Sequence, residues 1–292
     1  MKALVLLVAL TAVTPQKADV RGFRDRIQNL IRSSGAEVAV AFRTIDGRQE
    51  LLLDADEPFH AASTMKVPVL IELFRQAEEG RLSLNDALAV RNEFHSIVDG
   101  SVYTLDVSDD SDADVYKAIG STLTLRQLCE AMITVSSNFA ANLLIEKLGV
   151  ENIRSSVARL GADGMHVLRG VEDDKAFQKG LNNTTTARGL LILLEKIAKG
   201  RAVSARADAE MAAILQRQTF NDAIPAGLPP GTVVGHKTGT ITKIHHDAAI
   251  VYGPRPYVLV VLVRGIADEK QSASLIAAIS KEIWAVATDR AE

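Results

Sequence analysis

The order of predicted secondary structure in this chain of 292 residues indicates an α/β lobe into which an all-α lobe is inserted. Strand-like segments occur near both ends, and a mostly helical segment, residues 62–215, separates them. We expect the two groups of strands to form one five-stranded antiparallel sheet flanked by helices. The predicted α/β lobe comprises residues 19–60 and 216–292, and the predicted helical lobe comprises residues 61–215.

The first elements of the α/β lobe are a helix and a hairpin. Apolar residues recur at helical spacing over residues 20–34. Residues 37–43 and 48–54 are rich in valine, alanine, phenylalanine and leucine, and Asp46-Gly47 between them is typical of a hairpin turn. These patterns predict one helix followed by two antiparallel strands.

The last segments predict three strands and a closing helix. We expect the strands over residues 232–237, 245–252 and 256–263, and the helix over residues 272–286. The connection after the first of these strands is predicted to be longer than a tight turn. By contrast, the Gly-Pro-Arg-Pro segment at residues 253–256 is a clear turn signal.

The N terminus and the composition restrict where the protein acts and on what. Met1-Lys2 is followed by an apolar run over residues 3–13, which is too short to span a membrane but typical of a secretory signal. We therefore predict a signal peptide over residues 1–18 and an exported bacterial protein, periplasmic or secreted; a buried N-terminal helix is the alternative. The net charge of −3 provides no basic field for nucleic acid. We expect a monomer without a stable membrane span.

Ser63-Thr64-Met65-Lys66 is the first of three short polar motifs. Residues three apart share one face of a helix, so the Ser63 hydroxyl and the Lys66 amine can meet if a helix begins here. Unpaired backbone N–H groups at a helix start favour developing negative charge. A lysine held near apolar walls and another cation has a lowered pKa and can act as a base. When such a tetrapeptide occurs alone, it is most often a surface helix cap.

The second and third motifs lie far along the chain. Ser136-Ser137-Asn138 stands between an apolar run and a helix start, as expected of a turn with capping residues. Lys237-Thr238-Gly239 is predicted to end a strand, where a lysine, a hydroxyl and a glycine can hold a carboxylate and let a substrate pair with the strand edge. Each motif alone fits an ordinary turn or strand end. Their order and placement together indicate one site.

With these three motifs in this order, the chain resembles the class A β-lactamases and the related penicillin-recognising serine acyl-transferases. The resemblance extends over roughly residues 20–288. It implies a β-lactamase/transpeptidase-like fold and hydrolysis of a small-molecule β-lactam through an acyl-enzyme, without a cofactor or a metal. It also implies that Cys129, the only cysteine, is a buried and inert thiol, because Leu70 occupies the position of its disulfide partner in some relatives.

The resemblance further implies a role for each matching residue. Ser63 would be the nucleophile, and Lys66 would share in removing its proton. Ser136 would pass a proton towards the leaving nitrogen, which Lys237 would polarise. The N–H groups of Ser63 and Thr240 would form the oxyanion hole. The substrate-binding residues would be Asn138, Thr238, Gly239 and Thr240.

Four positions depart from the family pattern. Ser137 stands where the family has aspartate. Glu172 is the nearest candidate for the glutamate that activates the deacylating water, but it lies three residues after Arg169 rather than two. Ala176 occupies the position of the asparagine that helps to hold this water, and Asn183 replaces an aspartate that commonly pairs with the arginine. We expect Glu172 to be a general base if the loop backbone adjusts, and a solvated loop charge otherwise.

Two long polar stretches, residues 91–121 and 169–183, interrupt the helical segment, and loops of this length tend to bind or catalyse. We expect the first stretch to border the cleft. Its acidic segment, residues 106–114, lacks the glycine and the distal glutamate of a calcium loop and is expected to be a solvated loop. The substrate carboxylate would be bound by His246 or Arg264, and the sequence leaves this choice open.

Three other functions are considered. A penicillin-binding D-alanyl-D-alanine peptidase or esterase would use the same Ser63–Lys66 pair, with slow β-lactam deacylation. A β-lactam or peptidoglycan sensor would normally carry a transmembrane or signalling segment, and the sequence beyond the leader shows no such pattern. A zinc site is disfavoured because adjacent histidines on a strand point to opposite faces, and the spacing matches no usual ligand pattern. Its candidate ligands would be His236, His245, His246 and Asp247.

Overall fold

The computed structural model describes residues 20–288. Its strands are Glu37–Thr44 (β1), Glu50–Leu53 (β2), Phe59–His60 (β3), Ala87–Ala89 (β4), Phe94–His95 (β5), Val102–Tyr103 (β6), Thr122–Thr124 (β7), Thr184–Thr185 (β8), Val233–Ile241 (β9), Ile244–Tyr252 (β10) and Tyr257–Arg264 (β11). Its α-helices are Val20–Ser34 (α1), Lys66–Glu78 (α2), Asp114–Lys117 (α3), Leu125–Thr134 (α4), Asn138–Leu148 (α5), Val150–Leu160 (α6), Asp174–Gln178 (α7), Ala187–Ala198 (α8), Ala205–Leu215 (α9) and Glu269–Ala287 (α10).

The central element is an antiparallel sheet of five strands in the order β2-β1-β11-β10-β9. β1 and β2 form the predicted hairpin, and β1 pairs with β11 along its whole length, from Glu37 opposite Arg264 to Thr44 opposite Tyr257. The sheet therefore joins strands from opposite ends of the chain. The predicted five-stranded antiparallel sheet is confirmed.

Helices cover both faces of this sheet. α1 and α10 pack on one face, where Ile27 and Ile276 belong to the same buried cluster as Leu259. α8 packs on the other face, where Leu190 and Val260 belong to a second buried cluster. Because both faces are covered, β11 is a nearly continuous run of buried apolar residues rather than an alternating one.

Helix α2 is buried on almost every side among α4, α5, α6 and α9. Close packing of this kind leaves a helix little freedom to shift. Lys66, the first residue of α2, is consequently held in a fixed position at the edge of the helical segment. Cys129 on α4 is buried as predicted, and burial raises the pKa of its thiol.

The predicted end of the first C-terminal strand is wrong. β9 continues past Lys237 to Ile241, and the turn Thr242-Lys243 connects it to β10. The β-branched Thr240 and Ile241 continue the pairing, with Ile241 opposite Ile244. The third motif therefore lies inside a strand, and its connection to β10 is a tight turn.

The closing helix begins three residues earlier than predicted. The Asp268 carboxylate accepts hydrogen bonds from the N–H groups of Lys270 and Gln271 and so caps α10 at Glu269. Within residues 20–288, no helix is both long and apolar enough to cross a membrane. The predicted signal peptide, residues 1–18, lies outside the described residues.

Replacing Ile276 by alanine tests the packing of α10 on the sheet. Ile276 is 0% exposed. We therefore expect Ile276→Ala to lower the free energy of unfolding by about 2–5 kcal/mol. Ile97→Ala removes the same atoms from a side chain that is 49% exposed, and it should change this free energy by less than about 0.5 kcal/mol. Urea unfolding followed by circular dichroism measures both variants, and equal losses would contradict the account.

Candidate active site

A 3₁₀ turn, Ala62–Met65, leads directly into α2 and presents Ser63 to a cleft. Lys66 follows as the first residue of α2. The two side chains share one face, and the Lys66 Nζ atom lies 3.0 Å from the Ser63 Oγ atom. The structure thus brings together the first pair of residues that the spacing predicted.

Lys66 is the centre of the polar contacts in the cleft. Besides Ser63, its fully buried ammonium lies 2.6 Å from the Ser136 carbonyl oxygen and 3.2 Å from the Ser136 hydroxyl. A fourth oxygen, Asn138 Oδ1, is 2.8 Å away. An ammonium has three N–H donors, so these four oxygens compete for it. Lys66 therefore connects the first motif to the second.

Ser136 lies between two lysines. Its hydroxyl is also 2.9 Å from Lys237 Nζ, which comes from β9 in the sheet. Its backbone has a φ of 61°, in the left-handed region that few serines adopt. The Ser137 hydroxyl accepts a hydrogen bond from the Ala140 N–H at 3.2 Å and caps α5. The predicted turn with capping residues is confirmed, and it directs the Ser136 hydroxyl towards both lysines.

Burial lowers the pKa of both lysines. The pKa of Lys66 falls from its ordinary 10.5 to about 7, because the loss of solvent outweighs the attraction of the Asp110 and Glu172 carboxylates. The pKa of Lys237 lies well below its usual value, first through burial and then through the Lys66 charge, while Asp247 opposes the shift. A lysine whose pKa is near 7 is partly neutral at neutral pH and can accept a proton.

Strand β9 approaches the Ser63 turn so closely that a side chain at Gly239 would be crowded. A Cβ atom at this position would lie 3.0 Å from the backbone nitrogen of Ser63 and 3.0 Å from that of the next residue. Of the neighbouring threonines, Thr238 is buried, whereas Thr240 is exposed and lines the cleft. The backbone around Ser63 is thereby held against the backbone of the third motif.

The cleft beside Ser63 is a cavity of about 410 Å³. Its lining includes Asn138 and Glu172. The apolar side chains of Phe177 and Ile241 are 55% and 36% exposed and also line it. Polar groups of the predicted site therefore face the same space as an apolar wall.

Glu172 is joined to Lys66 through one amide. Its Oε1 atom accepts a hydrogen bond from Asn138 Nδ2 at 2.9 Å, while Asn138 Oδ1 faces Lys66. The carboxylate stays open to the cleft, but the surrounding protein partly desolvates it, which raises its pKa. The charges of Asp109 and Asp174 raise this pKa further, and Lys66 opposes them. Glu172 has a φ of 60°, in the left-handed region that few residues other than glycine adopt.

Hydrogen bonds to residues outside the loop hold it on both sides of Glu172. The buried Asn142 accepts from the Val171 N–H at 2.7 Å and donates to the Val171 carbonyl at 3.0 Å. On the other side, Asp173 accepts from the Ser96 hydroxyl at 2.9 Å and from the next backbone N–H at 3.0 Å. The first polar stretch is therefore tied to the second, and Asp173 is occupied by these contacts.

Ala176 and Asn183 are two of the four positions that depart from the family pattern. Ala176 is fully buried in α7, with its N–H on the Asp173 carboxylate, so this position offers the cleft no amide. Asn183 Oδ1 accepts from the N–H groups of Leu168 and Arg169 at 2.7 and 3.1 Å. Its Nδ2 atom donates to the Arg169 carbonyl at 3.0 Å. Asn183 thus closes the loop through the backbone of Arg169.

Asp110 is the site residue that sequence reasoning missed. It belongs to residues 106–114, and for Asp110 the prediction of a solvated loop is wrong. Its half-buried carboxylate accepts from the N–H groups of Asn138 and Phe139, which open α5, at 3.0 and 2.8 Å. An anion at a helix start is stabilised by these unpaired donors. The serine at position 137, where the family has aspartate, was the one signal that another carboxylate could be needed here. However, residues 106–114 hold five aspartates, and the sequence does not distinguish among them.

Neither candidate for binding the substrate carboxylate is among the described residues that line the cavity. His246 is buried, with Nε2 2.9 Å from the His60 carbonyl oxygen and Nδ1 accepting from the Val263 N–H. Burial lowers its pKa to about 4, so the ring is neutral. Arg264 lies over the Phe59 ring and pairs with Glu37.

The same contacts argue against the zinc alternative. Both ring nitrogens of His246 are engaged by backbone groups. His236 is instead paired with Asp247, whose Oδ1 atom lies 2.9 Å from His236 Nδ1. In the part of the chain that the structure describes, no group of three or more histidine, cysteine, aspartate or glutamate residues is placed to hold a metal ion.

The fold and the Ser63–Lys66 geometry are those of a serine hydrolase, and comparison with known proteins identifies the family. The model of the β-lactamase enzyme family matches residues 22–287. The chain belongs to this family, as a divergent member of class A. It is 26% identical over 264 residues to β-lactamase CTX-M-97 of Escherichia coli, covering 88% of this chain and 84% of the relative.

Other relatives and solved structures also match most of the chain. β-Lactamase CTX-M-8 of Citrobacter amalonaticus is 27% identical over 257 residues, covering 86% of this chain and 84% of its own length. The structure of PBP-A is 26% identical, with a TM-score of 0.79, covering 91% of this chain and 96% of PBP-A. A mutant PBP-A in an acyl-enzyme complex with penicillin G is 27% identical, with a TM-score of 0.78 and the same coverage.

Gly239→Ala tests the close approach of β9 to Ser63. The added methyl group must push the strand away from the Ser63 backbone. We expect kcat/KM for a chromogenic cephalosporin to fall about 10- to 100-fold, because the N–H groups that the resemblance assigns to the oxyanion hole would be displaced. Val233→Ala, an exposed change on the same strand, should leave kcat/KM within about twofold. An unchanged kcat/KM in Gly239→Ala would show that the approach has no catalytic importance.

Proposed function

We propose that this enzyme hydrolyses β-lactams through an acyl-enzyme on Ser63. The observation that carries the proposal is the position of the buried Lys66 amine, 3.0 Å from the Ser63 hydroxyl. With its pKa lowered to about 7, the neutral amine is available to take the hydroxyl proton. Membership of the β-lactamase enzyme family supports the same substrate class.

In the proposed acylation, Ser63 Oγ attacks the β-lactam carbonyl carbon and its proton passes to Lys66. Ser136 lies within reach of both lysines and relays a proton to the ring nitrogen as the C–N bond breaks. The Lys237 charge beside Ser136 polarises the leaving group. The N–H groups of Ser63 and Thr240 stabilise the oxyanion. The proposed substrate-binding residues are Asn138, Thr238, Gly239 and Thr240.

We propose Glu172 as the general base of deacylation. It lines the same cavity as Ser63, and the Asn138 amide connects it to Lys66, the lysine beside the nucleophile. A water molecule entering the cleft would lose a proton to Glu172 and attack the acyl carbon. The ester bond to Ser63 Oγ would then break, and Ser63 Oγ would regain a proton from Glu172. Ala176 offers no amide to hold this water, so water positioning rests on fewer groups and we expect deacylation to be the slower step.

A penicillin-binding D-alanyl-D-alanine peptidase or esterase is the second candidate, and the buried Ala176 is the observation that favours it. A loosely held water would leave the β-lactam acyl-enzyme long-lived. The mutant PBP-A structure is named as an acyl-enzyme complex with penicillin G. The acylation chemistry at Ser63 is common to both candidates, and the fate of the acyl-enzyme separates them.

We also propose that residues 1–18 are a signal peptide and that residues 19–292 form one catalytic domain, periplasmic or secreted. The basic start and apolar run support export, as does the bacterial origin of the named relatives. The two lobes are proposed to comprise residues 19–60 with 216–292, and 61–215. We propose a monomer that acts on a small-molecule β-lactam, without nucleic acid, metal or cofactor.

Mass spectrometry after brief and long exposure to a penicillin tests the proposed reaction. We expect a transient adduct on the peptide that contains Ser63, followed by release of hydrolysed product. Glu172→Gln keeps the shape of the side chain and removes the base, so the adduct should persist, with deacylation slowed about 10²- to 10⁴-fold. Glu151→Gln makes the same chemical change at an exposed position on α6 and should deacylate like the unmodified enzyme.

The outcomes of this experiment separate the candidates. A persistent adduct in the unmodified enzyme favours the peptidase, which would then be assayed on a D-alanyl-D-alanine peptide. A transient adduct that is unaffected by Glu172→Gln removes Glu172 from deacylation. Absence of any adduct at Ser63 contradicts both candidates.

A further inference from the structure

We infer that Asp110 is a positioning residue of this enzyme and that its carboxylate stands, in space, for the aspartate missing from the second motif at Ser137. The inference rests on the proposed function, because its effect is read through acylation of Ser63. Asp110 acts through Asn138 and the Ser136 turn and is not itself proposed to touch the substrate.

The Asp110 carboxylate bridges the first turn of α5. Oδ1 accepts from the Asn138 N–H at 3.0 Å and Oδ2 accepts from the Phe139 N–H at 2.8 Å. The Ser137 hydroxyl lies 3.5 Å from Oδ2. An acidic side chain at position 137 would therefore project towards the space that the Asp110 carboxylate occupies.

One aspartate at position 137 could both cap α5 and supply negative charge at its start. Here Ser137 has the first role and Asp110 the second. Ser137 retains the helix cap, because its hydroxyl accepts from the Ala140 N–H at 3.2 Å. Serine and aspartate are comparable in this capping role. What serine at this position removes is the negative charge at the helix start, and Asp110 supplies that charge from a segment 28 residues earlier than Asn138.

The segment that carries Asp110 is fastened to α5. The Tyr116 hydroxyl donates to Asp110 Oδ2 at 3.2 Å, and the Tyr116 ring packs on Phe139 with 4.6 Å between centroids. The Ser111 hydroxyl donates to the carbonyl of Val135, directly before the Ser136 turn. These contacts hold the carboxylate in one place, as a positioning role requires.

Asn138 carries the effect of Asp110 into the site. Its backbone is held by Asp110, and its side chain lies 2.8 Å from Lys66 Nζ and 2.9 Å from Glu172 Oε1. A displaced Asn138 would therefore release both groups together. The charged groups that face Lys66 are Asp110, Glu172 and Lys237, and the two carboxylates raise the Lys66 pKa against the effect of burial.

The test measures the acylation rate against pH in single turnover with a penicillin. Removing the charge in Asp110→Ala should lower the plateau rate about 10- to 100-fold through misplacement. In the plot of acylation rate against pH, the midpoint of the rise on the acid side should also move to lower pH. Loss of the neighbouring anion lowers the pKa of Lys66. Asp112→Asn is the matched control, because the Asp112 carboxylate accepts from the Asp114 N–H within the same segment. Its plateau rate and its midpoint should equal those of the unmodified enzyme.

Ser137→Asp provides the rescue. In the Asp110→Ala background it returns a carboxylate to the start of α5, so the plateau rate and the midpoint should recover towards those of the unmodified enzyme. In the unmodified background it places a second carboxylate beside Asp110, and the rate should fall because like charges repel. This reversal of sign in a double-mutant cycle is what the spatial replacement predicts.

Several results would overturn the inference. These are an unchanged plateau and midpoint in Asp110→Ala, a lower plateau without a shift in midpoint, or an equal effect of Ser137→Asp in both backgrounds. If Asp110→Ala does not fold, Asp110→Asn keeps one acceptor oxygen, loses the charge and reports the same midpoint. Failure of the proposed function is recognised separately, because the unmodified enzyme would then form no penicillin adduct on the Ser63 peptide.

Discussion

The buried ammonium of Lys66 is the constraint on which the rest of the site depends. A cation without solvent is tolerated only where protein oxygens and opposite charges replace its hydration. Oxygens of Ser63, Ser136 and Asn138 surround it, and two carboxylates face it. The Ser63 hydroxyl, the Ser136 turn and the Asn138 amide are therefore held by one group, and that group is fixed because α2 is buried on almost every side.

The discontinuous fold is what assembles this arrangement. Lys66 and Ser136 come from the helical segment, whereas Lys237 comes from the sheet, and the Ser136 hydroxyl lies between them. Gly239 allows the backbone of the sheet to lie close to the Ser63 turn without crowding. Ligand pockets are typically concave and contain a few precisely placed polar groups, and here those groups come from distant parts of the chain. The Lys66 and Lys237 amines both contact the Ser136 hydroxyl, and the Lys66 charge, when present, lowers the pKa of Lys237 further.

Much of the fold and three motifs could be predicted because their signals are local. Hydrophobic periodicity indicated the sheet, and the i, i+3 spacing of Ser63 and Lys66 indicated their contact. The end of β9 could not be predicted because glycine is a weak strand former, so Gly239 resembles the end of a strand. Gly239 instead allows the strand to approach the Ser63 turn, which is far away in sequence. Asp110 contacts Asn138 across 28 residues, and no local pattern marks it among its neighbours. The position of His246 in the sequence likewise could not reveal that backbone groups contact both of its ring nitrogens.

The most direct test of this account is the pKa of Lys66 itself, measured by NMR titration of the folded enzyme with labelled lysine side chains. Comparison with Lys66→Arg, which lacks that signal, assigns the resonance. The buried site predicts a pKa of about 7. The neutral amine would then appear as the pH rises through neutrality, in the range where it can accept the Ser63 proton. A pKa near the ordinary 10.5 would contradict the account, because Lys66 would then be a fixed cation at neutral pH.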